Sequence, residues 1–200
     1  MLMQAELFNG FRLVGGTAMS LHLGHRISVD IDLFTDKPYG SINFEEIDEF
    51  LKKNYAYVDA NFDLHPGMGR SYFLGDSPNN TIKLDVYYTN DPFMQPFMEI
   101  DGIRMATLEE IVSMKIDVVQ RGGRKKDFWD LHEVLPKFTL EQMLKLHSQR
   151  HQWTHDEKLI LANFTDFKHA DNDFEPICLR KKKWEFIKDD IIEFVNGKQN

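Results

Sequence analysis

The hydrophobic pattern opens with a short apolar run, Phe11 to Val14, stopped by Gly15-Gly16. Thr17 then begins a helix-compatible stretch with Met19, Leu21 and Leu23 apolar. This order reads as strand, glycine turn, helix. From Ile27 to Phe34 the pattern alternates, with Ile27, Val29, Ile31 and Leu33 on one side and Ser28, Asp30, Asp32 and Phe34 on the other, which predicts a half-buried strand. Residues 43–53 place Phe44, Ile47, Phe50 and Leu51 at helical spacing, with acids early and lysines late, and predict an amphipathic helix. Between Ala56 and Ala106 come four β-rich pieces, Tyr57–Leu64, Ser71–Leu74, Thr81–Tyr88 and Phe97–Met105, separated by turn clusters such as Asp101-Gly102. They predict mostly antiparallel strands continuing one sheet. After Thr107, an N-cap with Glu110 three residues on, the period becomes helical over about 107–120, 126–135, 139–150, 155–168 and 182–195. The expected class is α+β: a mixed sheet flanked by helices over residues 1–106, then a helical region over 107–200. No repeat or low-complexity segment interrupts this layout.

Composition removes several function classes. No stretch approaches the roughly 18 apolar residues of a membrane span, and the first residues lack a basic flank and a small-residue cleavage site, so a cytoplasmic protein without membrane partners is expected. The single cysteine, Cys178, supports neither an internal disulfide nor a thiolate zinc site. With 24 Lys and Arg against 32 Asp and Glu, the net charge of −8 argues against duplex DNA as a partner, because that affinity comes from many basic contacts to phosphate. Local basic clusters at Arg121, Arg124, Lys125 and Lys126 and at Arg180–Lys183 could still hold a polyanion, or could be solvated helix ends.

The carboxylates carry the chemistry. On a strand, Asp30 and Asp32 at i and i+2 project from one face. Two like charges so placed call for a cation, commonly Mg2+ shared with substrate phosphates. Asp85, on a face with Lys83 and Tyr87, is the candidate third carboxylate of a two-metal phosphoryl-transfer site, or else a solvent-facing strand position. Gly15 and Gly16 would let backbone approach a ligand, the following helix would offer N–H groups to a triphosphate, and Thr17 could add its hydroxyl. Neither a Walker lysine motif nor Gly-x-Gly-x-x-Gly occurs. Lys115 falls within the apolar stripe of helix 107–120 and either snorkels outward or neutralises phosphate charge. Asp127 and Asp130 share a helix face; they complement the helix dipole, orient Lys115 or the arginines, or accept a proton. Arg26 contacts phosphate or is a surface arginine pairing with Asp36 or a nearby acid. The eight histidines show no His-Glu-x-x-His or similar ligand spacing and read singly as surface or packing residues.

The spaced combination Phe11-Arg-Leu-Val-Gly-Gly-Thr-Ala, Gly24-His-Arg-Ile-Ser-Val-Asp-Ile-Asp-Leu-Phe, Leu108–Lys115 and Arg121-Gly-Gly-Arg-Lys-Lys-Asp-Phe-Trp-Asp-Leu resembles the AbiEii/AbiGii toxin family, relatives of the polymerase-β-like nucleotidyltransferases. The resemblance implies that Gly15, Gly16 and Thr17 contact the nucleotide phosphates; Arg26, Ser28 and Asp130 are further candidate substrate-binding residues. By the same likeness Asp30 and Asp32, with Asp85, hold two Mg2+ ions, Lys115 serves the triphosphate and Asp127 acts as base or site organiser. It further implies a bacterial enzyme that moves a nucleotide from a nucleoside triphosphate to an acceptor hydroxyl, on RNA and typically a tRNA 3′ end, with a cognate antitoxin as possible partner. A protein hydroxyl as acceptor and a non-catalytic, antitoxin-bound module are the alternatives.

Overall fold

Strand β1 (Arg12–Val14) runs directly into helix α1 (Gly15–Leu23), with no residue between them. The computed structural model describes residues 2–197. In chain order there follow β2 (Ile31–Thr35), α2 (Phe44–Asn54), β3 (Tyr57–Asp59), β4 (Gly69–Ser77), β5 (Asn80–Tyr88), β6 (Met98–Ile100) and β7 (Ile103–Met105). Helices α3 (Leu108–Gln120), α4 (Lys125–Val134), α5 (Leu140–Arg150), α6 (Glu157–Phe164), α7 (Lys168–Asp171) and α8 (Trp184–Asn196) complete the chain. Two compact units emerge. One holds the residues up to Ala18 with Val29–Ala106, the other Met19–Ser28 with the chain from Thr107 onward.

The first unit is built on a mixed seven-stranded sheet in the order β3-β4-β5-β2-β1-β7-β6. Hairpins pair antiparallel, as the turn clusters predict, whereas β2–β5 and β1–β7 are parallel because long crossovers separate them. Asp101 and Gly102 both take positive φ, 52° and 74°, the backbone that a two-residue hairpin between β6 and β7 requires. On β5 the alternation is realised: Leu84, Val86 and Tyr88 are buried, and Lys83, Asp85 and Tyr87 occupy the other, half-buried face. Helix α2 buries Phe44, Ile47 and Leu51, and its cap Asn43 accepts the N–H groups of Glu45 and Glu46 at 3.1 and 3.3 Å.

The strand predicted over 27–34 begins only at Ile31. Ile27 and Val29 are exposed, and the segment before them pairs elsewhere in the second unit: Ile27 N–H donates to Ile177 O and Leu179 N–H to His25 O, each at 2.9 Å. The piece predicted over 57–64 ends as a strand at Asp59, and the helix predicted over 155–168 divides at Thr165, where the Asp166 carboxylate accepts the Lys168 N–H at 3.2 Å and starts α7.

In the second unit α4 is buried at nine of its ten positions, charged residues included. Trp129 stacks on Trp184 of α8 with centroids 6.2 Å apart, and Phe128 meets Phe167 edge-on at 5.0 Å. Among the described residues no helix is long and apolar enough to cross a membrane.

Candidate functional site

In the first unit the parallel register of β2 against β5 sets Asp32 opposite Asp85, so the two carboxylates stand side by side on one face of the sheet. Asp30 lies one residue before β2, not on it, and its backbone carbonyl accepts the Thr17 hydroxyl. Gly15 sits at φ 68°, and a Cβ built there would collide with Oδ2 of Asp32. Only glycine satisfies both the left-handed backbone and this close approach. Lys83 Nζ contacts Asp85 Oδ2 at 2.6 Å, while Asp85 Oδ1 is buried and accepts no hydrogen bond from the described residues. Burial alone would lower the Lys83 pKa; the charges of Asp85, Asp32 and Asp30 overcome that and hold it above its ordinary value.

The three carboxylates offer hard oxygen donors beside one ammonium. The orphaned Asp85 oxygen and the glycine-only approach to Asp32 fit a hard divalent cation such as Mg2+.

In the second unit a different acid cluster forms. Lys115 Nζ lies 2.6 Å from Asp127 Oδ1 and 2.8 Å from Asp130 Oδ2. Asp130, fully buried, also accepts Arg26 Nε at 2.6 Å, Arg26 Nη2 at 2.9 Å and His25 Nε2 at 2.7 Å. Asp127 Oδ2 accepts the Arg124 backbone N–H at 3.0 Å and so caps α4. Burial would raise the Asp130 pKa, but the Lys115 charge and the hydrogen bonds from Arg26 and His25 press it far below the carboxylate range. For Lys115 burial pulls down and the charges of Asp130 and Asp127 pull up, with a net raised value.

The structure thus brings Gly15, Thr17, Asp30, Asp32 and Asp85 together in the first unit, and Arg26, Lys115, Asp127 and Asp130 in the second. Arg26 pairs with Asp130 rather than Asp36, whose carboxylate accepts the Phe93 N–H. Gly16 is the second residue of α1, and Ser28 is half-buried at the end of the second unit's 19–28 segment. Sequence reasoning assigned no role to His25 or Lys83. Lys83 stood on the Asp85 face, which was the available signal; His25 joins Asp130 only through a contact 105 residues apart.

The basic clusters are largely engaged inside the protein. Arg121 pairs with Asp117 at 2.5 Å and Arg124 with Asp173 at 3.1 Å, both guanidiniums staying solvent-exposed, and Lys125 is buried with Nζ 5.5 Å from the Trp184 ring. In the 180–183 run, Arg180 and Lys182 reach Glu133 at 2.5 and 2.7 Å.

Comparison with known proteins bears on the fold and the family. Protein aq_aa25 of Aquifex aeolicus (strain VF5) is 27% identical over 205 residues, spanning 94% of this chain and 90% of its own. Among solved structures, JHP933 from Helicobacter pylori has a TM-score of 0.58 at 18% identity, over 98% of this chain and 84% of that one. MenT4, a nucleotidyltransferase toxin from Mycobacterium tuberculosis H37Rv, has a TM-score of 0.59 at 14% identity, over 94% and 76%. These two share the fold. The model of the nucleotidyl transferase AbiEii toxin family, of type IV toxin–antitoxin systems, matches residues 2–197, and the chain therefore belongs to that family of nucleotidyltransferases.

Proposed function

We propose that this nucleotidyltransferase moves a nucleoside monophosphate from a nucleoside triphosphate to a hydroxyl of RNA, at a tRNA 3′ end, in an Mg2+-dependent reaction, with an antitoxin protein as its partner. The observation that carries the reading is the in-register pair Asp32 and Asp85 beside the glycine-only backbone at Gly15. Asp30, Asp32 and Asp85 are the residues that would hold Mg2+. Bound there, the ion would supply neutralisation of phosphate charge and a lowered pKa for the attacking hydroxyl.

The remaining roles fall to the chain itself. Backbone N–H groups of Gly15 and Gly16 open α1 and offer donors to phosphate oxygens. Thr17 holds the Asp30 backbone through its hydroxyl. The acceptor oxygen bonds to the α-phosphorus, the bond to pyrophosphate breaks, and the hydroxyl proton leaves to solvent water. An ammonium has three donors, and Lys115 uses two on Asp127 and Asp130; the third is assigned to the triphosphate. Both oxygens of Asp127 are engaged, which favours its organising role over a base.

The test is transfer of label from each α-32P nucleoside triphosphate with Mg2+ and bacterial RNA or protein extract, against an Asp30→Ala, Asp32→Ala chain. Label in tRNA that disappears in the variant supports the reading. Label confined to protein moves the acceptor to a Ser, Thr or Tyr hydroxyl, a second reading favoured by the engagement of Arg124 and Lys125 within the protein. No transfer with any nucleotide overturns both.

A further inference from the structure

Helix α3 carries a polar stripe, Glu110, Ser113, Asp117 and Gln120, that is buried in the second unit. Three of its members find partners. Glu110 pairs with the buried Arg150 at 2.7 Å, the Ser113 hydroxyl donates to Leu146 O at 3.2 Å, and Gln120 Nε2 donates to Thr154 O at 2.7 Å. Asp117 is met in part: its Oδ2 receives Arg121, but its Oδ1 is buried and accepts no hydrogen bond from the described residues. Facing it at 3.7 Å, beyond hydrogen-bond range, is Nε2 of His147, itself fully buried and unbonded. A ring nitrogen of His151, one helical turn on, completes a set of three ligand atoms that all lie within 4.8 Å of one another.

We propose that Asp117, His147 and His151 bind a divalent transition-metal ion of the zinc class. Two imidazole nitrogens and a carboxylate oxygen suit zinc, with a fourth position left for water. Bonds of about 2.0 Å in a tetrahedron separate ligand atoms by roughly 3.3 Å, so the 3.7 Å gap from Asp117 to His147 needs only a small closure. The supporting layer is also present: His147 Nδ1 lies 2.8 Å from His155 Nδ1. With Nε2 on the metal, Nδ1 carries the proton and donates it to His155, fixing the ring. The ion ties α3, two residues beyond Lys115, to α5 and the turn that follows it. The spacing His147-x-x-x-His151 sets the second imidazole four residues on, at the C-terminal cap of α5.

The test uses the full chain carrying Asp30→Ala and Asp32→Ala, which weakens cation binding by the first unit's carboxylates. After chelator treatment it is titrated with Zn2+ and Co2+. The expected result is one ion per chain, a visible Co2+ spectrum of nitrogen–oxygen coordination, and a higher Tm with Zn2+, all lost on adding His151→Gln or Asp117→Asn. Far-UV circular dichroism checks that each variant folds. Should neither fold, histidine-selective NMR of the otherwise unaltered chain decides, with ring signals of His147 and His151 shifting on Zn2+ addition. No binding, binding undiminished in the folded variants, or unmoved histidine signals would overturn the proposal.

Discussion

The two acid clusters of this protein differ in burial and in the partners their carboxylates meet. In the first unit Lys83 pairs with Asp85 and feels the charges of Asp32 and Asp30, and the three carboxylates remain half-exposed. In the second, Asp127 and Asp130 are buried against Lys115 and Arg26, with His25 and a capping N–H filling the remaining acceptor sites. The first set is the one proposed to take a cation from solution. The second is met by basic groups of its own unit, and its proposed work is to hold Lys115. On that reading, similar residue types divide into a binding function and a positioning one.

The sharpest way to break this contrast is Asp32→Ala. Removing a residue assigned to the cation should cost about three orders of magnitude in transfer, since metal stabilisation is worth several kcal/mol. Radiolabel transfer measures it, and the unfolding midpoint should not fall. Asp130→Ala should do the reverse to stability. It strands Arg26 and Lys115 in a buried site, so urea unfolding should show a loss of about 3–5 kcal/mol.

A smaller effect follows from pH. Asp130 titrates far below its ordinary 3.8 in the folded chain, so the stability it contributes is fully present above that value and is lost as pH falls from there toward its folded pKa. Acid unfolding of wild type should therefore be steeper below pH 3.8 than that of Asp130→Asn, read by circular dichroism. Lys115, raised above 10.5, contributes stability that is complete below 10.5 and lost as pH climbs through its folded value. Smallest is Gly15→Ala. The left-handed backbone alone costs about 1–2 kcal/mol, and the collision with Asp32 should also weaken Mg2+ binding, measurable by calorimetry.

Periodicity exposed the elements better than their partners. The alternation of β5 and the apolar stripe of α3 are local, and both stand in the structure as the spacing predicts. The pairing of Asp32 with Asp85 is not local, because a parallel register between residues 53 apart in sequence is set by the crossover between them and not by either strand. Residues 27–30 alternate like a strand yet do not form one, since Ile27 pairs with Ile177 near the other end of the chain. The polar stripe of α3 is buried because α5 and its following turn bring Arg150, Leu146 O and Thr154 O to meet it. His147 and His151 looked unremarkable singly for the same reason: Asp117, which gives their spacing a meaning, lies on another helix.

The most direct test of the contrast is urea unfolding of wild type and Asp32→Asn with and without Mg2+. A cation site awaiting its ion predicts that the variant is at least as stable as wild type without Mg2+, because like-charge repulsion is relieved, and that Mg2+ stabilises wild type but not the variant. A less stable Asp32→Asn that responds to Mg2+ as wild type does would contradict the account.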